Sequence, residues 1–266
     1  MINDDGDAMN QAERRRYLIN YLLKENKQYS NYDIPKSSDE QKSLLRGLFN
    51  IRMPRAVDEE FIRIQDDYLQ EENKNRGITH YRELAEVENN IYLWQGDIST
   101  LKCGAIVNAA NSEMLGCFRP NHTCIDNCIH TFAGIQLRSA CYDIMQKQGH
   151  EEATGNAKIT PAYNLPSDYV IHTVGPIVDG KLTDKHRKLL ESCYTSCLKL
   201  ADEYQLDSIA FCCISTGVFM FPNDEAATIA VETVRKYLKE TGSPIKVIFN
   251  VFKDYDLEIY RRLLGK

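Results

Sequence analysis

The sequence lacks the long hydrophobic segment that a transmembrane helix requires. No stretch approaches the roughly 18 consecutive apolar residues needed to cross a bilayer. Residues 1–16, MINDDGDAMNQAERRR, are charged and have no apolar centre, so they do not resemble a secretion signal. These two absences predict a soluble protein that stays in the cytoplasm.

The chain also lacks an excess of positive charge. Its 32 Lys and Arg residues are outnumbered by 38 Asp and Glu residues, and the formal net charge is −6. Because binding to nucleic acid depends largely on Lys and Arg neutralising phosphates, this balance argues against a nucleic-acid-binding protein. It does not argue against one anionic ligand held by backbone amides.

A disulfide framework is not expected either. Nine cysteines are an odd number, and in a chain without a secretion signal they indicate reduced thiols, some of which can bind a metal. The 266 residues suffice for one large domain with a smaller appended subdomain. We expect the protein to be monomeric.

Residues 1–88 predict a small N-terminal helical subdomain without strands. Apolar residues recur at helical spacing in three segments, 12–24, 37–49 and 57–69. Ser37 is a plausible N-cap for the second helix. We expect this subdomain to pack on the main domain; the alternatives are that it covers the ligand site or binds a partner.

Residues 89–266 predict an α/β domain with a largely parallel sheet, because short apolar strands alternate with amphipathic helices. The predicted strands are residues 91–94, 105–108, 169–174, 208–214 and 246–252, and the predicted helices are residues 127–147, 183–204 and 223–239. In such sheets ligands bind beyond the carboxyl ends of the strands. Side chains that follow these strands are therefore the candidates for a functional site.

One loop carries a candidate metal site. Cys117, His122 and Cys124 form a C-x4-H-x-C cluster, and two thiolates with one imidazole suit tetrahedral zinc. Three protein ligands leave one position open, as in catalytic zinc sites. Two alternatives remain: Cys128 or Cys103 is a fourth ligand, or the loop cysteines are small apolar fillers without a metal.

Three further segments follow predicted strands. Asp97 and Ile98 come after the first strand and a glycine, and Asn108 and Asn111 bound the turn after the second. After the fourth strand comes a loop of small residues whose free N–H groups suit phosphate: Ser215, Thr216, Gly217, Val218 and Phe219. Each segment alone is typical of ordinary turns and caps.

Together these segments resemble the macrodomain family in order and spacing. The matching blocks are QGDI at 95–98, IVNAAN at 106–111, CIDNCIHTFAG at 124–134, YVIHTVGP at 169–176 and ISTGVFMFP at 214–222. The resemblance covers roughly residues 90–266 and implies a three-layer α/β/α domain that binds ADP-ribose.

The same resemblance implies a role for each ligand-site residue. Asp97 is expected to contact the adenine amine and Ile98 to back the base. Asn111 is expected to reach the distal ribose, with Asn108 part of the same site. The loop of residues 215–219 is expected to wrap the diphosphate and the distal ribose.

One block departs from the common pattern of hydrolytic macrodomains. Their glycine run is replaced by the longer loop of residues 116–124, which resembles the zinc-dependent branch of microbial pathogens. That branch has an N-terminal helical region and is often encoded beside a sirtuin-type ADP-ribosyltransferase. The resemblance implies a zinc-dependent hydrolase that removes mono-ADP-ribose from protein carboxylates. A glycine-cleavage H-like lipoyl carrier protein is the expected substrate.

The catalytic candidates are Asn111, which would orient the distal ribose, and Asp126. Asp126 either positions a water or caps the following helix. Zinc binds the scissile ester oxygen or a ribose hydroxyl, or it activates a water. A non-catalytic ADP-ribose reader and a hydrolase of small ADP-ribose metabolites remain alternatives. We expect His172 to be a hydrogen-bonded core histidine, and Cys128 and His130 to pack.

Overall fold

The computed structural model describes residues 9–29 and 31–265. Eight helices lie in this part of the chain: α1 (Gln11–Glu25), α2 (Ser38–Ile51), α3 (Glu59–Asn75), α4 (Ile125–Ala133), α5 (Ile135–Gln148), α6 (Asp184–Glu203), α7 (Asn223–Thr241) and α8 (Asp254–Leu263). The strands there are β1 (Thr79–His80), β2 (Glu86–Glu88), β3 (Ile91–Gln95), β4 (Leu101–Lys102), β5 (Ala105–Ala110), β6 (Ala157–Pro161), β7 (Tyr169–Val174), β8 (Ser208–Phe211) and β9 (Lys246–Val251).

The predicted α/β fold is confirmed. Seven strands form one sheet in the order β2-β3-β9-β8-β5-β7-β6, and the five central strands are parallel. The edge strands β2 and β6 are antiparallel to their neighbours. The carboxyl ends of β3, β9, β8, β5 and β7 consequently lie at the same edge of the sheet.

The three predicted N-terminal helices are confirmed, and each begins at a side-chain cap. Asn10, Ser37 and Asp58 accept hydrogen bonds from the first-turn N–H groups of α1, α2 and α3. The three helices share an apolar core that also includes Ile135 at the start of α5. They pack on the α/β region through both α4 and α5.

The expectation that residues 1–88 contain no strand is wrong. β1 pairs with β4, and β2 pairs with β3 at the edge of the large sheet. Two- and three-residue strands are too short to show an alternating pattern in the sequence. β4, β6 and α8 were likewise not predicted.

The predicted single helix over residues 127–147 is also wrong, because the chain breaks it into α4 and α5 at Gly134. This glycine has φ +96° and ψ 174°, which lie outside the helical region. The N–H of Ile135 instead donates to Oε1 of Gln65 on α3, at 3.0 Å. The helix before the break, α4, packs against β5.

The helices of residues 9–29 and 31–265 include none that is both long enough and apolar enough to traverse a lipid bilayer.

Candidate active site

The candidate metal ligands converge in the loop between β5 and α4, residues 111–124, which is named the ligand loop after them. The Sγ of Cys117 lies 3.6 Å from Nδ1 of His122, and the donor atoms of these residues and Cys124 all lie within 4.8 Å of one another. All three side chains are half-buried. Tetrahedral zinc with ordinary Zn–S and Zn–N bonds needs donor atoms roughly 3.3–3.8 Å apart. The three residues therefore fit a zinc ion after movements of about 1 Å or less.

The first turn of α4 shapes this loop. Cys124 is the N-cap of the helix, and its Sγ accepts a hydrogen bond from the N–H of Asn127 at 3.4 Å. The side-chain amide of Asn127 donates to the carbonyl oxygens of Cys117, at 3.2 Å, and Arg119, at 3.0 Å. Burial is the main cause of the raised pKa of Cys124, about 12. A bound cation would favour the deprotonated form of this thiol.

Asp126 points into the sheet and is not a helix cap. The cap position belongs to Cys124, so the capping interpretation of Asp126 is wrong. Its Oδ1 instead accepts a 2.8 Å hydrogen bond from Nδ2 of Asn108. Burial raises the pKa of Asp126 to about 6, although Asn108 and Arg138 oppose the shift.

Asn108 lies beneath the site and not on its surface. Its side chain is fully buried, and its Nδ2 also lies 3.1 Å from Nδ1 of His172. Nε2 of His172 lies 3.0 Å from Oγ1 of Thr160. The prediction of His172 as a hydrogen-bonded core histidine is confirmed. Asn108, a predicted ligand-site residue, is buried and supports Asp126.

His130 is buried on α4 between these groups and the ligand loop. Its pKa is lowered well below the ordinary value, mainly by burial and secondarily by His172 and Arg138. Nε2 of the ring lies 3.6 Å from Oδ1 of Asp126, which is too far for a hydrogen bond. Gly116 packs directly on the ring, and a Cβ there would lie 2.7 Å from it.

Asn111 links β5 to the ligand loop. Its Nδ2 donates to the carbonyl oxygen of Gly116 at 3.2 Å, and its Oδ1 accepts from the N–H of Met114 at 3.1 Å. Cys117 follows Gly116 directly. The two predicted functions, ribose orientation and metal binding, therefore lie side by side.

The small-residue loop lies at the end of β8, with exposed N–H groups. Ser215 has φ +65°, and a Cβ on Gly175 would lie only 2.1 Å from its Oγ, so glycine is needed for the two loops to approach. In the hydrogen bonds of residues 31–265, the N–H groups of Gly217, Val218 and Phe219 are not used. These groups suit an anion such as a diphosphate.

Asp97 lies at the end of β3 and already has protein partners. Its Oδ1 accepts from the N–H and Oγ of Ser99, and its Oδ2 pairs with Nη2 of Arg76 at 2.5 Å. The Arg76 guanidinium lies 3.5 Å from the ring centroid of Phe132. Ile98, the next residue, is buried against the core. Sequence reasoning missed Arg76 because this contact links the end of α3 to a distant strand.

Phe252 is a further candidate that the sequence analysis did not name. It follows β9 at the carboxyl edge, its side chain is 74% exposed, and its carbonyl oxygen accepts from Nε2 of Gln95 at 3.4 Å. An exposed ring beside Gly96 and Asp97 suits stacking on a nucleobase. Its position at the end of a predicted strand was the available signal.

A groove of about 400 Å³ lies between α2, α3 and α4. Arg46, Arg76, Asn121 and Phe132 are among its lining residues. The groove therefore reaches both the ligand loop and the surroundings of Asp97.

Comparison with known proteins places the chain in a family. Residues 107–230 match the model of the Macro domain. The chain is 57% identical over 261 residues to a protein-ADP-ribose hydrolase of Treponema medium, covering 97% of this chain and 100% of that protein. It is 50% identical over 255 residues to a protein-ADP-ribose hydrolase of Staphylococcus aureus strain MSSA476, covering 95% and 96% of the two chains. These matches include the region of the N-terminal helices.

Solved structures agree with this assignment. The Trypanosoma brucei macrodomain in complex with ADP-ribose superimposes with a TM-score of 0.65 at 29% identity, covering 83% of this chain and 95% of that chain. The Oceanobacillus iheyensis macrodomain with ADP gives a TM-score of 0.61 at 35% identity, covering 68% and 94%. The chain belongs to the macrodomain family.

Proposed function

We propose that this chain is a zinc-dependent hydrolase that removes mono-ADP-ribose from modified proteins. The relatives named protein-ADP-ribose hydrolase support the reaction class, and the solved macrodomain with ADP-ribose supports the ligand. The observation that carries the zinc requirement is the convergence of Cys117, His122 and Cys124 within 4.8 Å beside Asn111.

The proposed linkage is an ester between the distal ribose and an Asp or Glu carboxylate. The support for this linkage, for reversal of sirtuin-type ADP-ribosylation, and for a glycine-cleavage H-like lipoyl carrier protein as substrate is the resemblance of the chain to the zinc-dependent branch of the family. The groove between α2, α3 and α4 gives a protein chain room beside that loop.

Different residues of the chain bind different parts of ADP-ribose. The N–H groups of Gly217, Val218 and Phe219 donate to the diphosphate, and the Phe252 ring stacks on the adenine. Asp97 accepts a hydrogen bond from the adenine amine while retaining Arg76 as its partner. These contacts fix the distal ribose at the far end of the ligand, over the β5–α4 loop.

The reacting end is formed by the β5–α4 junction. Bound zinc would supply a Lewis acid, either to the scissile oxygen or to a water whose pKa it lowers toward 7. Asn111 orients the distal ribose through its amide. Asp126 is fixed by Asn108 through Oδ1, which leaves Oδ2 to accept a proton from a ribose hydroxyl or a water.

The test removes the metal ligands one at a time. Cys117→Ser, His122→Ala and Cys124→Ser should each abolish release of ADP-ribose from a carboxylate-modified protein, while calorimetry still detects ADP-ribose binding. Cys197→Ala, which removes a core thiol on α6, is the control and should retain activity.

Three outcomes decide between functions. Full activity in a metal-free triple variant contradicts the proposal. Bound but intact adduct with excess zinc indicates a reader. Faster cleavage of a small ADP-ribose ester than of modified protein indicates a metabolite hydrolase.

A further inference from the structure

Two side chains of α2 form hydrogen bonds with the backbone of the ligand loop, one on each side of the peptide bond between Asn121 and His122. Oδ1 of Asn50 accepts the N–H of Asn121 at 2.9 Å. Nη2 of Arg46 donates to the carbonyl oxygen of His122 at 2.8 Å. Because His122 lies between these two anchors, α2 fixes the segment that presents the imidazole.

The Asn50 contact stabilises an uncommon backbone conformation. Asn121 has φ +56°, in the left-handed region that few non-glycine residues adopt, although asparagine does so more often than most. Asn50 is 1% exposed, and its Nδ2 donates to Oγ1 of Thr131 on α4 at 2.9 Å. Its Oδ1 therefore has a fixed direction when it receives the Asn121 N–H.

The Arg46 contact reaches a second part of the loop. The same Nη2 lies 3.1 Å from Oδ1 of Asn127 and 3.4 Å from Sγ of Cys128. With its Oδ1 held by Arg46, Asn127 turns its Nδ2 to the carbonyl oxygen of Cys117 at 3.2 Å. Arg46 thus contacts the His122 segment directly and the Cys117 segment through one intermediate amide.

The N-terminal part of the ligand loop is connected by hydrogen bonds to the C-terminal end of α2. Arg138 on α5 is buried, and its Nε donates to the carbonyl oxygen of Leu115 at 2.7 Å. Its Nη1 donates to the carbonyl oxygens of Phe49 and Arg52 at 2.9 and 2.7 Å. The loop and the C-terminus of α2 are therefore joined through one buried guanidinium.

We propose that α2 is a structural part of the zinc site, with Arg46 and Asn50 as positioning residues that make the three donor atoms converge. This inference rests on the proposed function and goes beyond it, because it gives the N-terminal helices a role in metal binding besides packing. Loss of groups that orient metal ligands typically weakens metal affinity by roughly 10- to 100-fold.

The first experiment measures zinc affinity of the full chain against a competing chromogenic chelator. Arg46→Ala and Asn50→Ala should each bind zinc roughly 10- to 100-fold more weakly than the wild type. Asn73→Ala is the matched control: Asn73 is equally buried and bonded, but in the described chain its partners are Phe132, Asn164 and Arg76, all outside the loop. It should bind zinc as the wild type does.

The second experiment measures amide hydrogen exchange in the metal-free chain. The amide of Asn121 and its neighbours in the loop should exchange faster in Asn50→Ala and not in Asn73→Ala. Arg46 is less buried than Asn50, so Arg46→Ala is the less disruptive substitution and the test does not depend on the Asn50 variant alone.

The outcomes separate the two proposals. A wild-type chain that binds no zinc overturns the proposed function. The positioning role alone is overturned if the wild type binds zinc, Arg46→Ala and Asn50→Ala bind it as tightly, and the loop amides of Asn50→Ala exchange as slowly as those of the wild type.

Discussion

Replacing Asp97 tests the adenine end of the site, because this carboxylate has both a ligand role and a structural role. In the free protein it accepts from Ser99 and pairs with Arg76. If Oδ2 also accepts the adenine amine, Asp97→Ala removes a hydrogen bond to a charged group, worth about 1.5–3 kcal/mol. That free energy corresponds to a Kd roughly 10- to 150-fold higher for ADP-ribose.

The assay must distinguish the loss of this hydrogen bond from a loss of affinity caused by movement of the loop around Asp97. Calorimetry with ADP-ribose and with its inosine analogue does so, because the analogue carries a carbonyl oxygen in place of the amine. The wild type should prefer ADP-ribose, and Asp97→Ala should lose most of that preference. Arg76→Ala leaves the carboxylate in place, so it should weaken both ligands to a similar extent and retain the preference.

The reasoning is refuted if Asp97→Ala discriminates between the two ligands as strongly as the wild type. Unchanged affinity for ADP-ribose would refute it as well. In either case Asp97 would have only a structural role, through its contacts with Arg76 and Ser99.

The remaining predictions concern packing, stacking and the metal. Gly175→Ala should lower the free energy of unfolding by about 1–3 kcal/mol in urea denaturation, because its Cβ would lie 2.1 Å from Oγ of Ser215. The second substitution Ser215→Gly should restore part of this loss, and no restoration would contradict the contact. Phe252→Ala should weaken ADP-ribose binding by about 1–3 kcal/mol in calorimetry and leave the melting temperature unchanged, since the ring is 74% exposed; wild-type affinity would exclude stacking. With free zinc at 100 times its Kd, the free energy of unfolding should be about 2.7 kcal/mol higher than after the zinc is removed by a chelator. Equal melting curves with and without chelator would contradict binding to the folded state.

Most of the elements could be predicted from periodicity. The central strands are continuous apolar runs because helices cover both faces, and the helices carry apolar stripes. The break at Gly134 could not be predicted, since the residues on either side of it retain a helical pattern. It is Gln65, distant in sequence, that satisfies the N–H of Ile135 and makes the break favourable.

The candidate site was predictable only where chemistry is local. Cys117, His122 and Cys124 are close in sequence, and their spacing alone indicated a metal site. The contacts of Arg46, Asn50 and Arg76 with the site span more than 20 residues in each case and depend on how the N-terminal helices dock. Asp126 looked like a helix cap because it precedes an apolar stripe, but the helix begins at Ile125, two residues before the predicted start, so the Asp126 side chain lies in the first turn and turns inward to Asn108.

The most direct test of the account is the metal content of the chain purified without added metal. Elemental analysis should find one zinc ion per chain in the wild type and none in the variant that combines Cys117→Ser, His122→Ala and Cys124→Ser. A folded wild type without zinc, or a triple variant that retains it, would contradict the account.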